Sequence, residues 1–347
     1  MSHALTEMKA ILARVAGGDS LNESEAGVAF DILMSGNATP AQIGGFLMAL
    51  RVRGETIDEL SGAARVMRSK AVTIEAPPGA IDTCGTGGDG SGTYNISTAA
   101  ALVVAACGVP VAKHGNRAMS SRSGAADVLA ALGVNIECDM ALVQECLWKT
   151  GFCFLMAPRH HTAMRNVGPA RMELGTRTIF NLMGPLSNPA KAKRQLLGVF
   201  SRQWVEPLAL TLHRLGSEAA WVVHGSDGLD EITTTGPTHV AQLKNGVVTS
   251  FDIRPEEAGL FRAHPRDLKG GTAEENAVAL RALLNGAHTP YRDIVLINSA
   301  AALLVADRVE HLSAGIEAAR HAIDDGAARR VLEDVVRITK SAPKTIS

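Results

Sequence analysis

Between Asp82 and Thr98 the chain reads D-T-C-G-T-G-G-D-G-S-G-T-Y-N-I-S-T, five glycines in seventeen positions with Asp89 the single charge after Asp82. Ala80-Ile81 reads as the end of a short strand, and the run from Ala99 to Ala106 as a buried helix. A polar glycine-rich loop from a strand end to a helix start lays backbone N–H groups on a concave surface that suits an anion, a phosphate above all. The hydroxyls of Thr86, Ser91, Thr93, Ser97 and Thr98 favour a phosphorylated ligand, and Asn95-Ile96-Ser97-Thr98 opens the helix where the anion would sit. The spacing of Gly85, Gly87, Gly88, Gly90 and Gly92 is not the dinucleotide fingerprint. The terminal Lys-Ser/Thr pair of a P-loop is also missing.

Such a loop belongs at the carboxyl edge of a mostly parallel sheet, and the pattern beyond Ile81 supplies one. Short apolar runs predict strands over Val109 to Ala112, Phe152 to Met156, Leu196 to Phe200, Ala219 to His224 and Asp293 to Asn298. Helical stretches such as Gly124 to Leu132 and Val205 to Leu215 separate them, and Val240 to Ile253 alternates like an antiparallel hairpin. Thr272 to Leu284 and Val309 to Val336 read as helical cover. The first 70 residues differ: they read as short helices, with capping-box spacing at Asn22/Glu25, Thr39/Gln42 and Thr56/Glu59. These start helices over Glu23 to Met34, Pro40 to Val52 and Ile57 to Arg68, with Val72 to Pro78 as an exit linker. The fold class expected is α/β, a mostly parallel central sheet flanked by helices, with a separate small all-helical domain. The small domain takes 1–70 and part of the insert 164–190, which is too long for a simple crossover. The large α/β domain takes 75–163 and 191–347.

Composition narrows the partners. The formal net charge is −1, so no basic excess draws the chain to nucleic acid or an anionic membrane. The longest apolar runs are far too short to span a bilayer, and the first residues carry no basic-then-apolar leader pattern. The five cysteines are odd in number and form no C-x-x-C pair, which argues against a disulfide framework or structural zinc and fits a reducing, cytoplasmic setting. Cys84 lies inside the glycine-rich loop without an obvious base beside it, and reads as a small residue in a tight turn rather than a nucleophile.

Two more polar groups point to chemistry. Lys113, His114, Gly115, Asn116 and Arg117 follow the Val109 strand as a second loop of positive and donor groups. Asp230-Glu231 follow the Ala219 strand through the turn Gly225-Ser226-Asp227-Gly228. Paired acids at a strand-end loop are hard-metal ligands, since magnesium on a polyphosphate commonly uses one or two carboxylates. A solvated acidic turn is the alternative.

Taken together, G-T-G-G-D (Gly85 to Asp89), N-I-S-T (Asn95 to Thr98), K-H-G-N-R (Lys113 to Arg117), R-N-V-G-P-A-R ending at Arg171, the insert G-T-R-T-I-F-N-L-M-G-P-L-S-N-P and Asp230-Glu231 are highly specific. The chain resembles the anthranilate phosphoribosyltransferase family over essentially its whole length. That resemblance implies transfer of a phosphoribosyl group from phosphoribosyl diphosphate to anthranilate, a step of tryptophan biosynthesis, on a nucleoside phosphorylase-like architecture. It implies that Gly85, Gly88, Asp89, Thr93, Asn95, Ile96, Ser97 and Thr98 hold the diphosphate and ribose phosphate. Lys113, His114, Gly115, Asn116, Arg117, Ala118, Met119, Ser120 and Ser121 complete those contacts. It places magnesium on Ser97, Asp230 and Glu231, and anthranilate on Asn116 and Arg171. It also implies a homodimer paired through the helical domain. Two departures stand out: Ala125 replaces a serine frequent in relatives, leaving a hydroxyl contact missing or supplied by Ser121 or Ser123, and Thr162 replaces a frequent proline.

On the residues alone a nucleoside phosphorylase remains open, as do a transferase with another aromatic acceptor and a non-catalytic phosphoribosyl sensor. The acidic pair and Arg171 favour the diphosphate-using transferase. No residue is assigned as general base, because an aniline amine is uncharged at neutral pH; Lys113 and His114 are supporting candidates.

Overall fold

A computed structural model describes residues 3–118 and 122–342. Four helices open the chain: α1 (His3–Ala16), α2 (Glu23–Met34), α3 (Pro40–Arg53) and α4 (Ile57–Ser69). All three capping boxes read from the sequence form, at Asn22/Glu25, Thr39/Gln42 and Thr56/Glu59. The chain then runs through β1 (Ile81–Gly85), α5 (Ile96–Ala106), β2 (Val111–Gly115), α6 (Ala125–Ala131), α7 (Met140–Thr150) and β3 (Phe152–Met156). The insert follows as short turns, α8 (Ala157–His160), α9 (Gly168–Leu174) and α10 (Phe180–Met183). Next come β4 (Arg194–Gly198), α11 (Val205–Arg214), β5 (Ala219–Gly225) and the hairpin β6 (Thr238–Lys244) and β7 (Val247–Ile253). Four helices close it: α12 (Ala273–Leu284), α13 (Pro290–Val305), α14 (Leu312–Asp324) and α15 (Ala327–Thr339). Among the described residues no helix is long and apolar enough to cross a membrane.

The strands form one seven-stranded sheet in the order β3-β2-β1-β4-β5-β6-β7. β1 to β5 are mutually parallel, while β6 and β7 run antiparallel. From β1 the chain moves outward to β2 and β3, then returns to lay β4 on the other side of β1. The β1/β4 boundary is therefore the topological switch point, where loops diverge and leave a crevice.

Alternation along the strands feeds two cores. On β5, Ala219, Trp221 and Val223 enter one face with α5 and α13, while Ala220 and Val222 enter the other. That second core is continuous with the interior of the N-terminal bundle, through Phe30, Phe46 and Leu60, and with Val167, Ile179, Phe180 and Leu186 of the insert. The insert thus packs against the helical bundle. Phe180 meets Phe30 edge to face with centroids 5.6 Å apart. Arg65 and Arg68 of α4 donate to the carbonyls of Arg214 and Leu215, which the end of α11 leaves free.

One strand expectation fails. Asp293 to Asn298 is not a strand but the front half of α13. The helix is buried on nearly every side, so its apolar run carries no helical period; Thr289 as cap and Pro290 at the first turn mark its true start. The β2 expectation ends too early: the strand continues through Lys113 and His114, whose side chains are buried rather than displayed on a loop.

Glu59 shows how the bundle is fastened. Its carboxylate accepts from Leu21 N–H at 3.0 Å and Thr56 N–H at 2.9 Å, pairs with Arg53, and is fully buried. Glu59→Ala should lower unfolding stability by about 3 kcal/mol or more, because it strands a guanidinium and two amide donors. Glu25→Ala, in the solvent-facing capping box, should cost far less; urea melts of the two variants make the comparison.

Candidate active site

At the switch point Gly85 ends β1 and Gly198 ends β4, and the loop carrying Asp230 folds down onto both. A Cβ on Gly198 would overlap the Asp230 carbonyl and lie 3.2 Å from its Cα; one on Gly85 would overlap the carboxylate, with Cγ at 3.0 Å. Only bare backbone admits that approach. The glycine-rich loop then arches over the strand ends. Thr86 N–H donates to Gly198 at 2.9 Å, and Phe200 N–H donates to the Thr86 hydroxyl at 3.0 Å. Gly87, Gly88, Gly90 and Gly92 hold positive φ, the left-handed backbone that turns successive amides to one side. The far side of the loop is tied at Tyr94 N–H to the Leu268 carbonyl (3.1 Å) and at Gly270 N–H to the Gly92 carbonyl (3.0 Å). Arg177, from the insert, donates to the Gly88 carbonyl and lies 4.2 Å above the Phe200 ring.

Three acids gather beneath this arch. Asp230 accepts from Gly87 N–H at 2.8 Å, and Asp89 accepts from Ser91 N–H at 3.1 Å and Asp230 N–H at 3.4 Å. Glu231 accepts from Ser97 N–H at 3.1 Å, in the first turn of α5. Lys113 answers them from below: its ammonium donates to the Thr83 carbonyl and, at 3.1 Å, to the Ser97 hydroxyl. Both Asp230 and Glu231 line the cavity, and protein surrounds them elsewhere. Burial, then Asp89 and Glu231, raises the Asp230 carboxyl well above its ordinary range. Burial pushes Glu231 up to about 7, against the pull of Lys113 and the Ser97 amide. The cluster lacks positive charge.

Its donors are all oxygen, the chemistry of a hard divalent cation. The acids are neighbours, yet among the described residues no three His, Cys, Asp or Glu side chains form a ready-made cage.

The cavity, of about 610 Å³, extends from these acids to the insert. His114 is on its wall. Its amide donates to Asp82 at 3.1 Å, its Nδ1 meets the Gly184 carbonyl at 3.0 Å, and its ring packs edge-on to His161 with centroids 5.1 Å apart. Burial, then the neighbouring His161, lowers its pKa to about 3. The imidazole is neutral at pH 7 with Nδ1–H donating, so Nε2, buried and without a partner among the described residues, is an acceptor and not a stored acid. Arg171, on α9, has its guanidinium 5.2 Å above the Phe180 ring, and burial lowers its pKa. No acid or carbonyl engages that guanidinium among the described residues, so an arginine lines the cavity with its charge unanswered.

Other sequence-named residues sit differently. Arg117 turns its guanidinium to Asp127 (3.2 Å) and Glu137 (3.5 Å). Asn116 caps the Arg117 amide at 2.8 Å, and Asp127 accepts from Ala118 N–H, also at 2.8 Å. Asn95 holds the loop together: its amide donates to the Ser123 carbonyl at 3.2 Å, and its oxygen accepts from Asn276 at 2.9 Å. Gly115, Thr93, Ile96, Thr98, Ser123 and Ala125 line the cavity. Met119, Ser120 and Ser121 lie outside the described residues. Cys84 is buried, with its thiol pushed well above the ordinary range by burial and Asp82, which makes it unreactive. Arg177 and Asp82 carry no signal as site residues in the sequence; both act on backbone far away in the chain, where local pattern reports nothing.

Comparison with known proteins agrees with this geometry. Residues 77–329 match the glycosyl transferase family a/b domain, and residues 9–71 match the helical bundle domain of the same family. The anthranilate phosphoribosyltransferase of Azospirillum brasilense is 73% identical over 338 residues, covering 97% of this chain and 95% of its own. That of Rhodospirillum rubrum is 64% identical, covering 96% of each. The crystal structure of the Thermus thermophilus anthranilate phosphoribosyltransferase superposes with a TM-score of 0.91 at 44% identity, over 95% of this chain and 99% of that one. The Saccharomyces cerevisiae enzyme in complex with PRPP and Mg gives 0.88 at 28% identity, over 98% and 100%. By domain order, site geometry and identity along its length, the chain belongs to the anthranilate phosphoribosyltransferase family.

Proposed function

We propose that the two ends of the cavity divide the substrates: phosphoribosyl diphosphate lies under the glycine-rich loop beside Asp230 and Glu231, and anthranilate lies against Arg171. The reaction is that of the family, transfer of the 5-phosphoribosyl group to the anthranilate nitrogen with release of diphosphate. The observation that carries the division is the charge: acids without enough positive charge on one side, and a half-buried arginine without an anion among the described residues on the other.

Loss of diphosphate leaves positive character at the ribose C1 and a heavily charged leaving group, so catalysis is largely electrostatic. The residues that would hold magnesium are Asp230 and Glu231, with the Ser97 hydroxyl beside them, and the metal's part is to neutralise the diphosphate. The yeast relative with PRPP and Mg bound supports that reading. The left-handed loop amides and the first turn of α5 cradle the phosphates. Lys113, committed to Thr83 and Ser97, holds the Ser97 hydroxyl and offsets the acids. Arg171 grips the anthranilate carboxylate and aims the amine at C1, which converts binding into orientation. The unpartnered His114 Nε2 is available to accept a hydrogen bond from that amine. The helical domain is the homodimer surface in this reading, supported by the exposed Val28 and Val52 and by Met172 on the adjoining α9. Five free cysteines support a cytoplasmic location.

Anthranilate fluorescence should fall when phosphoribosyl diphosphate and magnesium are added, and chelation should abolish the loss. Asp230→Asn with Glu231→Gln should fold normally and be nearly inactive; full turnover of that variant at low magnesium would refute the metal assignment. Arg171→Ala should raise the anthranilate KM about thirtyfold, the equivalent of about 2 kcal/mol, with phosphoribosyl diphosphate binding and the melting temperature little changed. Equal damage toward both substrates, with a depressed melting point, would make Arg171 a structural brace instead. Light scattering at micromolar concentration should report about twice the 36.4 kDa chain mass.

A further inference from the structure

Asn298 stands in the middle of α13, fully buried in the larger core. Its neighbours along the helix are Leu296, Ile297, Ala300 and Ala301, all buried. An asparagine there lowers helix propensity, and its amide costs stability unless every polar atom is bonded. Its bonds reach across the chain. The side-chain oxygen accepts from Ile232 N–H at 3.0 Å, and the side-chain nitrogen donates to the Ile232 carbonyl and the Ile294 carbonyl, each at 2.8 Å. One side chain therefore satisfies both backbone polar groups of the residue next to Glu231. A second clamp closes the other side of the acidic pair. Asp227 accepts from the hydroxyls of Thr233 at 2.7 Å and Thr235 at 2.6 Å, and from Leu229 N–H at 3.3 Å.

The two clamps differ in strength. Asp227 is on the exposed turn, whereas Asn298 is fixed to a helix buried between α5 and α14. A buried, bidentate amide has few alternative partners, so it sets the two peptide planes flanking Ile232. The first of those planes carries the carbonyl of Glu231, whose carboxylate accepts from the Ser97 amide at 3.1 Å, and Asp230, whose carbonyl meets Gly198, is one residue further back.

We propose that Asn298 is a positioning residue for the acidic pair: through Ile232 it holds Asp230 and Glu231 in the arrangement that receives the magnesium diphosphate end of the donor. This inference rests on the reading of Asp230 and Glu231 as the magnesium-holding residues. Partners that orient ligating groups commonly matter about 10- to 100-fold in metal affinity or activity.

The test uses the full-length protein with Asn298→Leu, which keeps shape and removes the bonds, beside Asn298→Ser and Glu231→Gln. Four quantities are read: the magnesium midpoint of activity, the calorimetric affinity for phosphoribosyl diphosphate at fixed magnesium, the anthranilate KM and the melting curve. Asn298→Leu should raise the magnesium midpoint about tenfold or more and weaken donor binding in parallel, while the anthranilate KM stays within about twofold. Added magnesium should recover part of the rate. A folded Asn298→Leu with a lower melting temperature but the wild-type magnesium midpoint and donor affinity overturns the proposal. If Asn298→Leu does not fold, Asn298→Ser, too short to hold both Ile232 groups, decides the matter by the same two readings. Glu231→Gln separates the levels: a wild-type midpoint in that variant refutes the metal reading itself, whereas a shift there with none in the Asn298 variants refutes only the role of Asn298.

Discussion

The carboxylate of Asp230 rests on the bare backbone of Gly85 and its main-chain carbonyl on that of Gly198, and the rest of the site is arranged around that contact. Side chains at either position would lift the acidic loop off the sheet. With it would go the Gly87 amide bond, the Asp89 contact and the meeting of Glu231 with the start of α5. The contact also sets the electrostatics. It brings Asp89, Asp230 and Glu231 together beside Lys113, and burial with their mutual repulsion raises the Asp230 and Glu231 carboxyls above their ordinary range.

The two cores divide the labour behind that contact. The larger one is the platform: α13 sends Asn298 to Ile232 and the Tyr291 hydroxyl to the Asn95 carbonyl at 3.2 Å, so one helix braces both the acidic loop and the N-I-S-T turn. The smaller core joins the opposite sheet face to the helical bundle and the insert. It fixes where Arg171 stands, since α9 packs on α3 while Phe180 inserts beside Phe30. Arg51 of α3 adds a bond to the Arg177 carbonyl at 2.7 Å, and the Arg177 guanidinium reaches Gly88. Side-chain-to-carbonyl bonds thus run from the bundle to the glycine-rich loop.

What the sequence displays best is what depends on neighbours in the chain. Asn22/Glu25, Thr39/Gln42 and Thr56/Glu59 each specify a helix start within four residues, and each forms. The glycine-rich loop and the Asp230-Glu231 turn are similarly local, which is why a strand-loop-helix site is legible. Asp293 to Asn298 is not, because a helix buried on nearly all sides loses the polar face that reveals its period. Lys113 and His114 mislead in the opposite sense. Polar residues after an apolar run read as loop, yet here they are strand residues: the Lys113 ammonium bonds to Thr83 and Ser97, and the His114 amide and Nδ1 bond to Asp82 and Gly184. Arg117 has the composition of an anion ligand, and only the fold shows Asp127 and Glu137 engaging it. Arg177, Asp82 and Asn298 work through partners 66 to 106 residues away, or nearer only across the sheet, and no local spacing reports them.

The distance between Arg171 and the acids has its own physical logic. A guanidinium beside Asp230 and Glu231 would pair with them, leaving neither a cation site nor a grip for a carboxylate. The architecture prevents that pairing by placing the partners on different supports, the acids on a loop of the α/β sheet and Arg171 on an insert packed against the helical bundle. The acids and Arg171 then line the same cavity without pairing with each other, at a cost in stability that a tighter packing of opposite charges would remove. The neutral His114 on the wall of that cavity fits the same requirement. A charged imidazole there would add a second cation to the cavity beside Arg171, whereas burial and His161 hold it neutral, with Nε2 unpartnered among the described residues. Under the proposed division of the cavity, donor and acceptor would therefore be told apart by electrostatics before any fine fit is made: the diphosphate end would demand a cation and the carboxylate end would supply one.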